Sequence, residues 1–155
     1  MKVIFLDIDG VLKSYRTAVA YGDRSWSGDA GIRAKMDDVA IRLIDGIARQ
    51  AGASIVLSSS WRNDRDWEAI GPALGLEIID RTPNHCSRGE EIQQWLGNHR
   101  DVECYAIVDD EVEGMLPEQQ PYFVHTNQFD GFTWSNATQL ARILGINIYD
   151  VNRPV

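Results

Sequence analysis

The chain has 155 residues, 44% of them hydrophobic and 25% charged, which suits one domain with a sizeable core. Its formal net charge of −8 excludes broad, non-specific binding to nucleic acid, which needs a basic surface; a local basic patch stays compatible with it. No apolar run is long enough to span a membrane, no apolar leader with a cleavage site opens the chain, and Cys86 and Cys104 lack zinc spacing, so a cytoplasmic protein with idle thiols and no stable protein partner is expected.

The first predicted element is a strand over residues 3–6, a continuous run of strand formers of the kind buried on both faces of a parallel sheet. It ends in Asp7, Asp9 and Gly10. In extended chain, alternate side chains share a face, so Asp7 and Asp9 point one way and Ile8 returns to the core. Gly10 lets the backbone turn sharply. Two carboxylates at the carboxyl end of a strand make a hard-oxygen site suited to Mg²⁺ and to nucleophilic or acid–base work. The plainer alternative is that the aspartates only end a strand and begin a turn.

Residues 14–30 read as an irregular, flap-like loop or short hairpin holding Tyr15, Arg16, Tyr21, Arg24 and Trp26. These could grip and stack on a base, or Tyr21 and Trp26 could pin the loop to the body. Residues 34–50 carry Met36, Val39, Ala40, Leu43, Ile44 and Ile47 at helical spacing, and Gly52 is a natural stop. A second buried strand over 53–57 runs into Ser58, Ser59 and Ser60, then a helix over about 63–70. Hydroxyls and free N–H groups converging at a helix start favour an anion, though one serine could serve only as the cap.

Residues 76–79 are a weaker strand candidate. Ser87 and Glu90 fit a capping box opening a helix over 88–96, which sets Arg88 at the amino end, an unfavourable place for a cation unless an anion lies opposite. A third buried strand over 104–108 ends in Asp109 and Asp110. A fourth is expected over 121–125, and a last helix to Leu144 capped by Ser135. His85, His99 and His125 show no partner spacing. Strands alternating with helices imply a right-handed α/β layer fold with a mainly parallel central sheet. All the strand ends then lie on one side, bringing Asp7, Asp9, Ser58, Ser59, Asp109 and Asp110 to one edge near Arg88.

The order DIDGVL, IVLSSSW, SRGEEI, YAIVDDE resembles the four motifs of the haloacid dehalogenase-like (HAD) phosphohydrolases. The stretches GASIVLSSSWR and RTP…RGEEIQQWL are similar to the small HAD domain of RNA-repair proteins and of stand-alone, often phage-borne, proteins. The resemblance covers about the whole chain and implies a three-layer, Rossmann-like HAD-type fold. It further implies that Asp7 attacks phosphorus and forms an aspartyl-phosphate, and that Asp9 acts as acid and then base. Ser58, with or without Ser59, and Gly10 would meet the phosphoryl oxygens. Arg88, where many relatives carry Lys, would balance charge. Mg²⁺ would sit on Asp7, Asp110 and the backbone carbonyl of Asp9, with Asp109 assisting or sharing it. Neither gap between motifs leaves room for a large cap domain, so residues 1–155 form one domain, and only the 14–30 loop can cover the site. An open site suits a phosphorylated nucleic-acid end. A mononucleotide phosphatase and a non-catalytic module that binds a phosphorylated ligand are the alternatives.

Overall fold

The computed structural model describes residues 1–153. Five strands form one sheet in the order β3-β2-β1-β4-β5, every neighbouring pair parallel. They are β1 (Lys2–Leu6), β2 (Ala53–Leu57), β3 (Ile78–Arg81), β4 (Cys104–Asp109) and β5 (Phe123–His125). The first strand is central because both its edges are paired, Leu6 aligning with Leu57 on one side and Val108 on the other.

The even residues Ile4, Leu6 and Ile8 join Ile55, Leu57, Ala106 and Val108 in one core cluster. The helices α2 (Asp38–Ala51) and α5 (Trp134–Ile143) cover that face. Val3 and Phe5, with Val56 and Ile107, point the other way and meet Ile92 and Trp95 of α4 (Arg88–Asn98). Strands buried on both faces need continuous apolar runs, which is why these segments lack polar alternation.

Several boundaries differ from the sequence expectation. Residues 14–30 are not wholly irregular: Ser14 caps a helix, α1 (Tyr15–Tyr21), through a capping box with Thr17. The expected 34–50 helix begins later, because Asp37 is extended and its carboxylate accepts from the Ala40 N–H; Ala30–Lys35 is a 3-10 segment instead. Val39 therefore faces solvent, whereas Ala40, Ile44 and Ile47 are buried. Gly52 stops α2 in the left-handed conformation, as expected.

The expected 63–70 helix is broken into 3-10 turns at Ser60–Asn63 and Trp67–Ala69 before α3 (Ile70–Leu74). The third strand runs two residues later than expected, behind a register break between Ile55 and Val56. The expected 121–125 strand keeps its last three residues at the sheet edge, while Pro121, which donates no ladder bond, and Tyr122 close the 3-10 segment Pro117–Tyr122. Thr133, not Ser135, caps α5, because Asn136 lies three residues on and closes the box.

Candidate active site

Sheet register assembles the site. One step beyond the aligned row Leu57–Leu6–Val108 lie Ser58, Asp7 and Asp109. The ladder continues into that row: Ser58 N–H donates to Leu6 and Asp7 N–H to Val108, both at 3.0 Å. Aligned residues of parallel strands face the same way. All three side chains thus point to the α4 face, continuing the series Val3, Phe5, Val56 and Ile107.

Arg88 opens α4 on that face, and its guanidinium donates to Asp109 at 2.7 Å and lies 3.5 Å from Asp7. Ser87 and Glu90 form the expected capping box. Asp7, Ser58, Ser59 and Asp109 are buried. The Ser58 hydroxyl has no hydrogen-bond partner, an uncommon state for a buried polar atom. Ser59 takes the capping role instead, accepting from the Trp61 N–H. The Ser59 hydroxyl also supports the Asp7 carboxylate, so both serines stand at Asp7, Ser59 with its hydroxyl partnered and Ser58 with its hydroxyl free.

Asp7, Asp109 and Asp110 each offer a carboxylate oxygen within 4.8 Å of the others, an all-oxygen set that could hold a metal ion. Burial first, then repulsion between neighbouring carboxylates, pushes Asp7 and Asp109 above the usual carboxylate range; Arg88 opposes this without cancelling it. Burial works against the Arg88 charge as well, but Asp7 and Asp109 outweigh it. The cluster sets three carboxylates beside the Arg88 guanidinium, and a bound cation would relieve their mutual repulsion.

The turn after β1 is built around Gly10. Its φ is +77°, and a Cβ there would stand 2.2 Å from the Asp110 Cγ. Only glycine lets the Asp110 carboxylate lie on the turn. The Gly10 carbonyl is held by the Thr126 hydroxyl at 2.8 Å.

The carboxylate of Asp9 lies outside the acidic cluster. One oxygen accepts from the Trp61 indole N–H at 3.1 Å, and the other is 3.8 Å from Lys13. Burial raises Asp9 above the ordinary range, outweighing Lys13 and Trp61. Trp61 is itself buried and stacked on Trp26, ring centres 6.0 Å apart. Trp26 therefore pins its loop to the body, whereas Tyr15 and Tyr21 are exposed. Arg24 faces Asp29 at an exposed position, and His125 meets the Asp110 carbonyl at 2.9 Å. Both cysteines are free thiols.

Sequence reasoning assigned no role to Lys13, Trp61, Arg62 or Glu91. Arg62 is buried and pairs with buried Glu91 at 2.5 Å. It also donates to the Ser58 carbonyl at 2.8 Å. Glu91 in turn accepts from the backbone N–H of His85 at 3.0 Å. This pair ties the serine turn to the first turn of α4, fixing Ser58 relative to Arg88. The one local signal for it is an arginine five residues beyond a buried strand end.

The family model described as the HAD domain in Swiss Army Knife RNA repair proteins matches residues 3–137. No curated protein and no solved structure matches the chain. Among the described residues, no helix is long and apolar enough to cross a membrane.

Proposed function

The chain belongs to the family of HAD domains found in Swiss Army Knife RNA repair proteins, and from that premise we propose that it is a Mg²⁺-dependent phosphomonoesterase acting on the terminal phosphate of a nucleic acid. The observation that carries the reading is the single row Ser58, Asp7, Asp109 facing Arg88. That row puts two buried carboxylates and an unpartnered hydroxyl against one cation, which supports reading Asp7 as the nucleophile and Asp109 as a metal ligand.

In this reading an Asp7 oxygen bonds to phosphorus while the ester oxygen leaves with its electron pair. Asp9 gives that oxygen a proton, and burial keeps its carboxyl protonated to higher pH than an exposed aspartate. The Trp61 indole holds one Asp9 oxygen, so the other is left to exchange the proton. Asp9 then takes a proton from the water that cleaves the aspartyl-phosphate. Ser58 donates to a phosphoryl oxygen, and Arg88 balances the charge that grows on the equatorial oxygens. Asp7, Asp109 and Asp110 would hold Mg²⁺, to which Asp9 could offer only its backbone carbonyl, since its carboxylate is engaged elsewhere. The bound ion would neutralise phosphate charge and let an anionic nucleophile approach.

The test is phosphate release from single-stranded oligonucleotides phosphorylated at the 3′ or the 5′ end, and from mononucleotides. The expected result is preferential turnover of an oligonucleotide end, lost on chelation and restored by Mg²⁺. Preference for mononucleotides would support a nucleotide phosphatase. Tight binding of phosphorylated ends without turnover at saturating Mg²⁺ would mean a binding module.

A further inference from the structure

We propose that Tyr15 and Phe129 form a stacking subsite for the nucleobase next to the scissile phosphate. The inference rests on the phosphatase reading above and deepens it.

The two rings come from opposite ends of the chain and meet at the mouth of the site. Their centres are 5.1 Å apart with an interplanar angle of 32°. Even so packed, Tyr15 is 59% and Phe129 is 55% exposed. Two adjoining rings that leave more than half their surface in water are not doing core packing. Tyr15 lines the recess that also contains Asp9, Gly10, Asp110 and Gln128. Phe129 lines the adjoining recess, which shares Asp110 and Gln128. The aromatic pair therefore stands between two hollows that share a proposed metal ligand, Asp110, in their walls.

The pair is held rigid by its backbone. The Tyr15 N–H donates to the Gln128 carbonyl at 3.0 Å and the Arg16 N–H to the Phe129 carbonyl at 3.1 Å. Asn127 accepts from the Phe129 N–H at 2.7 Å through its side chain. Below it, Gly131 has φ +73°, and a Cβ there would stand 2.6 Å from the Val11 carbonyl oxygen. The turn carrying Phe129 is thus pressed against the turn that follows β1. A platform fixed in this way stacks a ligand at low entropic cost.

Charge explains why the subsite must be aromatic. The chain carries −8 overall, and the lysine of this recess, Lys13, pairs with Asp23 at 2.6 Å, while Arg16 lines a different hollow, facing Asp37. Backbone phosphates would gain little here. Base stacking needs no net charge, tolerates any base, and requires that base to be unpaired. The ligand is then a base-bearing phosphate ester, from a single-stranded end or a free nucleotide.

The probes are oligothymidylates phosphorylated at the 3′ or the 5′ end, the same oligomers with an abasic residue beside the phosphate, and thymidine monophosphates. For wild type, KM is expected to be on the order of tenfold lower with the base than without it. In Tyr15→Leu/Phe129→Leu, which keeps apolar cover but removes both π faces, that ratio should fall toward one, while Tyr15→Phe should retain it. Melting temperatures of the variants report folding independently. A lower KM for thymidylate strands than for thymidine monophosphates assigns the base to a strand end; equal values assign it to free nucleotides. The subsite is overturned if wild type hydrolyses base-bearing and abasic ends with the same KM, or if the double leucine variant keeps the wild-type ratio. Failure of wild type to hydrolyse any of these esters overturns the phosphatase reading itself, and is distinct from either result.

Discussion

Asp7→Asn is expected to abolish phosphate release while leaving the protein at least as stable as wild type. The substitution keeps shape and removes the attacking oxygen. Loss of a covalent nucleophile costs orders of magnitude, so a fall of at least about 10³-fold in kcat is expected at saturating substrate. Stability should move the other way. Asp7 is buried beside two other acids, and its pKa lies above the ordinary 3.8. A carboxyl whose folded pKa exceeds its unfolded value destabilises the fold as pH climbs through that interval, because the charged form is disfavoured in the folded state. At neutral pH without a divalent cation, a neutral Asn removes that penalty and its repulsion with Asp109 and Asp110. Arg88 keeps its 2.7 Å bond to Asp109, so the variant does not strand a buried cation. Thermal melting beside a phosphate-release assay checks both halves. A dead variant with a clearly lowered Tm would mean that Asp7 is structural instead.

Glu91→Ala should produce the largest loss of stability. Arg62 and Glu91 are 3% and 2% exposed, so solvent screening is slight. Removing the carboxylate leaves a buried guanidinium without its counter-charge and the His85 N–H without its acceptor. Breaking one side of a buried pair costs about 3–5 kcal/mol, which for a domain of this size corresponds to a Tm drop of roughly 6–20 °C. The double variant Arg62→Met/Glu91→Leu replaces the pair by apolar groups and should recover much of that loss. It should not recover catalysis, because the Ser58 carbonyl loses its 2.8 Å tether to Arg62. Arg62 also donates to the Pro83 carbonyl and the Asn84 side-chain oxygen, both at 3.3 Å, and a Tm for Glu91→Ala within about 2 °C of wild type, less than 1 kcal/mol at this size, would show that these and the Ser58 carbonyl satisfy Arg62 unaided.

The central sheet was legible because its strands are buried on both faces. Residues 3–6, 53–57 and 104–108 satisfy that environment as apolar runs, interrupted only by Ser54, and each ends where acids or hydroxyls begin. Parallel pairing then put those ends on one edge, so Asp7, Ser58 and Asp109 were brought together by topology alone. The elements that went astray are held by local side-chain bonds rather than by periodicity. Asp37 delays α2, Thr133 advances the start of α5, and Ser14 makes a helix of the expected loop. A period of 3.6 marks which face is apolar but not where capping begins. The positioning residues were hidden for a different reason. The Trp61–Asp9 and Arg62–Glu91 contacts span 52 and 29 residues, and no local spacing announces them. The Tyr15–Phe129 pair was half visible: the aromatics of residues 14–30 stood out, but their partner lies in another loop.

The measurement that tests the account most directly is location of the phosphoryl group on enzyme quenched in acid during turnover of a phosphorylated oligonucleotide with Mg²⁺. Digestion at low pH and tandem mass spectrometry identify the modified residue. The account predicts a phosphoryl group on Asp7 in wild type and none in Asp7→Asn. A phosphoryl group on Ser58 or Ser59, or turnover by Asp7→Asn at the wild-type rate, would contradict it.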